Sequence, residues 1–282
     1  MLWIFSYTYI TKMQDKTSAV PHRINMFTLI MITAAFVASV RSLSLMAETG
    51  LNLILYAGLA ALFFLLPTAL VSAELATGWP ERGGVYVWVK EAFGERWGFT
   101  AIWLQWSQMI IGVVALLVFI AGALAFVFNP ALAEDKLFLL LVILLVYWIA
   151  TYLNLHGMKR SSRISTVCFL SGVLFPGLLI IILSIVYILS GNPVQLDLSL
   201  TKANLIPDFT CIGNIVLLAG FIFVFMGIEV SAVHAKEAKN PQRDYPIAIF
   251  IVGLMMFVIY VLCALAVAIV VPEPKIHMNV GL

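Results

Sequence analysis

Ala38-Ser39-Val40-Arg41-Ser42-Leu43-Ser44-Leu45-Met46-Ala47-Glu48-Thr49-Gly50 decides how this sequence folds, together with a second, shorter interruption, Met226-Gly227-Ile228-Glu229. Each breaks an apolar run long enough to cross a bilayer. In the first, an arginine and three serines stand past the middle of a segment that begins near Asn25. In the second, a glycine and a carboxylate stand deep in Ile212 to Ala235. A charge at that depth costs about 2.5–3.5 kcal/mol on insertion scales unless it meets a partner or water. Glycine weakens a helix by about 1 kcal/mol relative to alanine. Two readings stay open at each place. Arg41 snorkels from a continuous helix, or the helix unwinds there and its amides and Arg41 line a cavity for an anion. Gly227 permits close packing beside a protonated or hydrogen-bonded Glu229, or the helix breaks and its carbonyls accept an ammonium.

The surroundings fix hydrocarbon as the main solvent. Hydrophobic residues make up 63% of the chain and charged ones 11%, with a mean hydropathy of +1.06, where a soluble domain is about half apolar and about a quarter charged. The apolar residues come in long runs such as Leu137 to Ala150 and Val173 to Leu189, without the single wet face of a surface helix. The expected fold is an all-α integral membrane protein of about seven transmembrane helices. The spans are read as residues 25–47, 51–76, 98–128, 137–155, 164–189, 212–235 and 245–271. Residues 1–24 are read as a cytoplasmic N-terminal extension, or an over-early start with Met13 as initiator, and residues 272–282 as an extracytoplasmic end.

Lysine and arginine orient the chain, because cytoplasmic loops retain positive charge. With the N-terminus inside, twelve of the sixteen basic residues fall on the cytoplasmic side and only Lys136, Lys202 and Lys275 outside, Arg41 lying within the first span. A net charge of +2 and the lack of any long basic run exclude a nucleic-acid partner. An enzyme would need a nucleophile and base at one depth, and no such pair accompanies Arg41 and Glu229. His234 beside Glu237 is too little for a metal site, and no cofactor is expected. Cys168, Cys211 and Cys263 are read as buried thiols.

Spans one and six thus carry paired defects five helices apart, the spacing of a five-plus-five inverted repeat. Such pairing marks the midplane site of secondary transporters. In the third span Gln105 and Gln108 share a face, turned to a cavity or to neighbouring helices. Trp97, Trp103 and Trp106 read as an interfacial anchor, and Pro67 and Pro176 as kinks. Residues 80–94 pair the Gly83-Gly84 turn with a short amphipathic stretch at the membrane surface. Asn240-Pro241 is read as the end of one helix, with Asp244 and Pro246 opening the next.

At these residues the sequence resembles the amino acid–polyamine–organocation superfamily of permeases, and within it the bacterial glutamate/γ-aminobutyrate antiporter branch. The most specific likeness is Met226-Gly227-Ile228-Glu229-Val230-Ser231-Ala232, continuing through His234 to Asn240-Pro241-Gln242-Arg243-Asp244-Tyr245-Pro246. Supporting stretches are Ala73-Glu74-Leu75-Ala76-Thr77, Gly83-Gly84-Val85-Tyr86-Val87-Trp88-Val89, Arg96-Trp97-Gly98-Phe99, and Gln108 with Gly112. The likeness runs from about residue 25 through nearly the whole chain. It implies a leucine-transporter-like fold, C-terminally truncated here, in a bacterial cytoplasmic membrane, with an amino-acid substrate held between broken spans one and six. The substrate-binding residues it implies are Ser39, Val40, Arg41, Ser42 and Ser44 for the carboxylate, the carbonyls of Met226 and Gly227 for the amine, and Ile228, Glu229 and Gln108 around them. Two departures stand out. The glycine-rich cradle common in the superfamily is replaced by Val40-Arg41-Ser42-Leu43-Ser44, and such permeases continue through further spans. The lipid bilayer is therefore one expected partner and a separately encoded C-terminal half another, the alternative being a non-transporting fragment.

Overall fold

A computed structural model describes residues 24–79, 83–155, 158–199 and 201–272. Asn25 opens the first helix, α1 (Met26–Val37), by accepting the Thr28 amide on its side-chain oxygen at 2.8 Å, which satisfies one of the free N–H groups of a helix start. Then come α2 (Ser42–Glu48), α3 (Asn52–Gly78), α4 (Val85–Phe93), α5 (Glu95–Phe128), α6 (Lys136–Leu155), α7 (Ser162–Leu189), α8 (Ile212–Val224), a 3-10 segment (Ile228–Glu237) and α9 (Pro241–Val270). Six helices are long and apolar enough to cross a membrane, and α1 with α2 makes a seventh span bent by 62°. Among the described residues there is no strand, only an isolated bridge between Ile24 and Ala238. The chain is an all-α, multi-pass membrane protein. The expected extension lies almost entirely outside the described residues, as do residues 273–282.

Burial separates a centre from a periphery. Within its apolar stretch α9 is 44% buried in the bundle, against 6% for α6. Tyr245, Ile249, Val252, Met256, Tyr260 and Cys263 run along α9 fully buried, and α1, α2, α3 and α7 pack around them. The outer helices present large apolar side chains such as Ile111, Leu145 and Leu183 outward, as lipid-facing helices must. Trp97, Trp103 and Trp106 stand exposed on α5.

The two in-span prolines act through the turn before them. Pro67 comes just after a π-helical segment, Ala61–Leu65, and Pro176 just after another, Leu170–Leu174. A proline removes one N–H and pushes against the carbonyl four residues back, and a single wide turn at that point makes the room.

Three local expectations are corrected. Pro241 is the first residue of α9, not part of a helix end. Asp244 sits in the first turn, its Oδ2 accepting the Asn240 amide at 3.2 Å, and Pro246 lies inside the helix. Cys168 and Cys211 are exposed on the chain's surface, and only Cys263 is buried, its thiol 3.5 Å from the Gly177 carbonyl. Apolar sequence alone does not distinguish a lipid-facing thiol from a core one.

Candidate functional site

Both suspected defects are breaks. Between α1 and α2 the residues Ala38–Arg41 leave the helix, Ala38 with φ −67° and ψ 122°. Between α8 and the 3-10 segment, Phe225-Met226-Gly227 form a turn in which Gly227 has φ +100°. That conformation is open to glycine and strained for other residues. Beyond Gly227 the chain winds into ten residues of 3-10 helix, far longer than the three or four residues usual for that tighter winding, which often marks a hinge.

The breaks lie against one another. A Cβ built on Gly227 would stand 3.6 Å from the Phe36 carbonyl oxygen at the end of α1. On the α1 side of the breaks the two spans are joined again where the Lys239 amide donates to the Ile24 carbonyl at 3.1 Å. On the α2 side they meet at Gly220 of α8, where a Cβ would come within 2.9 Å of Leu45 on α2. The glycine leaves room for the end of the Leu45 side chain.

Unwinding frees main-chain groups that hydrocarbon cannot solvate. Tyr260 of α9, 1% exposed, takes up two of them: its hydroxyl accepts the Ser39 amide at 2.6 Å and donates to the Val37 carbonyl at 2.8 Å. Phe225 packs edge-on against the same ring, centroids 6.0 Å apart, so one tyrosine touches both breaks. Ser42 N–H closes onto the Ser39 carbonyl at 3.3 Å and the Ser44 hydroxyl onto the Arg41 carbonyl at 3.1 Å. Among the described residues the amides of Val40 and Arg41, and the carbonyls of Phe225 and Met226, are left without a partner. By the same measure the Ala38 carbonyl and the Gly227 amide are free as well, so each break offers both donors and acceptors.

The remaining expected residues are spread around this centre. Ile228 is fully buried towards Gly253 of α9. Glu229 is half-buried, with Oε2 shielded from solvent and unpaired. Val40 is 40% exposed. Arg41 is also exposed and borders a cavity of about 180 Å³ with Ala115, Phe119 and Gly122 of α5 and Leu139 of α6. Arg41 thus lines this cavity against α5 and α6, and no carboxylate pairs with it among the described residues. Gln108 is exposed two turns along α5 from Ala115, on the same face. The side chains of His234 and Glu237 lie outside the described residues. Sequence reasoning missed Tyr260, whose only sign was a polar hydroxyl within an apolar run.

Comparison with known proteins agrees with this geometry. The chain is 43% identical to an uncharacterized transporter of Legionella pneumophila over 92% of its own length and 55% of that protein. It is 33% identical to a glutamate/gamma-aminobutyrate antiporter of Lactococcus lactis, over 92% of this chain and 52% of the other. It is 27% identical to a probable agmatine/putrescine antiporter of the same species, over 78% and 46%. The chain spans about half the length of the relatives it matches. Residues 24–282 match the model of a family described as amino acid permease, and the chain belongs to that family within the amino acid–polyamine–organocation superfamily.

Proposed function

We propose that this chain forms the substrate-holding part of an amino-acid antiporter of the glutamate/γ-aminobutyrate kind, binding an amino acid between its two breaks. The observation that carries the reading is the set of free main-chain donors and acceptors where the two breaks meet, among them the amides of Val40 and Arg41 and the carbonyls of Phe225 and Met226. A zwitterion has the complementary pattern. Its carboxylate accepts from the amides, helped by Ser39, Ser42 and the Arg41 charge, and its ammonium donates to the carbonyls beside Gly227. Glu229 then supplies a negative charge near the ammonium, and Gln108 borders the route along α5. The protein sits in a bacterial cytoplasmic membrane with its N-terminus inside, a reading supported by the asymmetry of basic residues.

A second reading rests on the half-length match to the relatives. On it, this chain binds substrate and needs a C-terminal half, carried on a separate chain, to complete the exchange cycle. Binding and exchange are separable in one experiment. The purified chain is reconstituted into liposomes loaded with γ-aminobutyrate, labelled glutamate is added outside, and equilibrium binding is measured in parallel. Binding with exchange supports the first reading, and binding without exchange the second. The proposal is overturned if the chain binds none of glutamate, γ-aminobutyrate and neutral amino acids.

A further inference from the structure

A second cavity, of about 480 Å³, opens at the end of the bundle where α2 ends, α3 begins and α9 ends. It is distinct from the breaks, which lie further along the same helices. Glu48, Asn52 and Tyr56 succeed one another around it at four-residue intervals, and Asp197 and Asn204 of the α7–α8 connection close the other side. The connection is fixed in place: the Gln195 amide donates to the Ile269 carbonyl of α9 at 3.0 Å.

The lining has two carboxylates and no lysine, arginine or histidine. It also has unfinished hydrogen bonding. Glu48 Oε2, Asn52 Oδ1 and the Tyr56 hydroxyl are all shielded from solvent and without a partner. Tyr56 is 1% exposed, and its ring is clamped by Phe221, stacked at 5.1 Å, and by Phe209, edge-on at 6.1 Å, so the hydroxyl is held where it stands. A buried polar atom left unpaired costs about 1–3 kcal/mol, and three around one cavity are better explained by something that fills it. Asp197 stays ionised at neutral pH. The Ser199 amide first, then the Asn204 and Ser199 side chains, hold its carboxyl below the usual range.

The missing partner must donate hydrogen bonds to oxygen and carry positive charge. A bare metal ion does not fit: the space is many times its size, and the described residues contain no group of three or more histidine, cysteine or acidic side chains able to hold one. A zwitterion does not fit either, because its carboxylate would meet Glu48 and Asp197 with no cation to balance it. We propose that this cavity is a binding site for an organic ammonium cation, a protonated mono- or diamine without a carboxylate, separate from the amino-acid site between the breaks. Its ammonium donates to Glu48 Oε2, Asn52 Oδ1 and the Tyr56 oxygen. Its methylenes lie along Leu51, Leu196 and Leu217, and a second ammonium, where there is one, reaches Asp197.

Calorimetric titration of the purified chain in phosphatidylcholine nanodiscs at pH 7 with 1,4-diaminobutane tests this directly. One saturable site is expected, weakened about tenfold or more by Glu48→Gln, which removes a charged acceptor, and a few-fold by Tyr56→Phe, which keeps both ring contacts. Asp197→Asn, at an exposed position, weakens the diamine more than it weakens n-butylamine. Thermal unfolding midpoints without ligand establish that each variant is folded, and γ-aminobutyrate does not compete. No saturable binding overturns the proposal, as does an affinity unchanged in both Glu48→Gln and Asp197→Asn. Displacement of the diamine by calcium or sodium at equal concentration overturns the assignment to an organic cation.

Discussion

Tyr260→Phe removes one oxygen from the centre of the bundle and leaves the ring, with its contact to Phe225, in place. The oxygen makes two hydrogen bonds to main-chain groups of the first break, from Ser39 N–H at 2.6 Å and to the Val37 carbonyl at 2.8 Å. Side-chain hydrogen bonds in membrane bundles average only about 0.6 kcal/mol, with a maximum near 1.7, because the groups they release usually find other partners. These two lie near the upper end, since α1 has already ended and neither group has a regular helical partner to return to. Their joint loss costs about 2–3 kcal/mol. At 1.4 kcal/mol per tenfold, the Ser39 amide should exchange with deuterium about 30- to 150-fold faster, with no comparable change in the middle of α1. Tyr187→Phe is the control: its exposed hydroxyl donates to the Pro193 carbonyl at 3.1 Å at the surface, so its loss costs well under 1 kcal/mol. The assay is hydrogen–deuterium exchange by mass spectrometry on the chain in detergent, with peptides spanning 26–48. A rise below about fivefold at Ser39, or one matched by Tyr187→Phe, would refute the claim that Tyr260 holds the break.

Gly227→Ala forces an alanine to φ +100°, a strain of about 1–3 kcal/mol, and should lower the thermal unfolding midpoint and amino-acid binding together. Gly112→Ala, inside α5 with open space where the Cβ goes, should leave the midpoint unchanged or raise it. Gly98→Leu should cost about 1–3 kcal/mol through overpacking, because even its Cβ would stand 2.9 Å from Lys90 and 3.1 Å from the Tyr86 carbonyl. Proteolysis between α4 and α5 reads that loss. The α7–α8 connection should be indifferent to pH from about 5 to 8 and loosen only in acid. Asp197 has a folded pKa held below its free value, chiefly by the Ser199 amide, so its contribution is present above the free value and is lost as pH falls through the folded one. Amide exchange at residues 197–205 across pH 3–8 checks it.

The spans are legible in the sequence because hydrocarbon imposes one simple rule, and the breaks are legible as violations of that rule. Arg41 and Gly227 flag the unwinding by residue type alone. The tyrosine that stabilises the first break is not legible, since Tyr260 and Ser39 are 221 residues apart and nothing local to α9 distinguishes this hydroxyl from one facing lipid. The same dryness on both sides of a lipid-facing helix hides the exposure of Cys168, and Cys211 stands just before α8, at the end of the connection. At Asn240-Pro241 two prolines, Pro241 and Pro246, compete for the first turn of α9. The sequence pattern favours the second because Asp244 sits just before it, whereas packing selects the first. Which cavity Arg41 borders is undetermined by sequence for a different reason: a long side chain at a break can run along either helix face, and only the positions of α5 and α6 decide.

The packing divides the two broken spans into couples rather than into helices. One couple, α1 with the 3-10 segment, is joined by the Ile24–Lys239 hydrogen bond, with Gly227 close to Phe36; the other, α2 with α8, meets at Leu45 and Gly220. Neither couple is linked to the other by regular helical hydrogen bonds, because residues 38–41 and 225–227 lie outside the helices. Rotating one couple against the other therefore requires torsion at seven residues and little repacking within either couple. The main polar resistance is the pair of bonds made by Tyr260, worth about 2–3 kcal/mol on the membrane scale, which is the size of step a bound ligand can offset by favouring one arrangement over the other. The α9 tyrosine holds the first break in place, and the main-chain groups it leaves free are those the proposed amino-acid site would use.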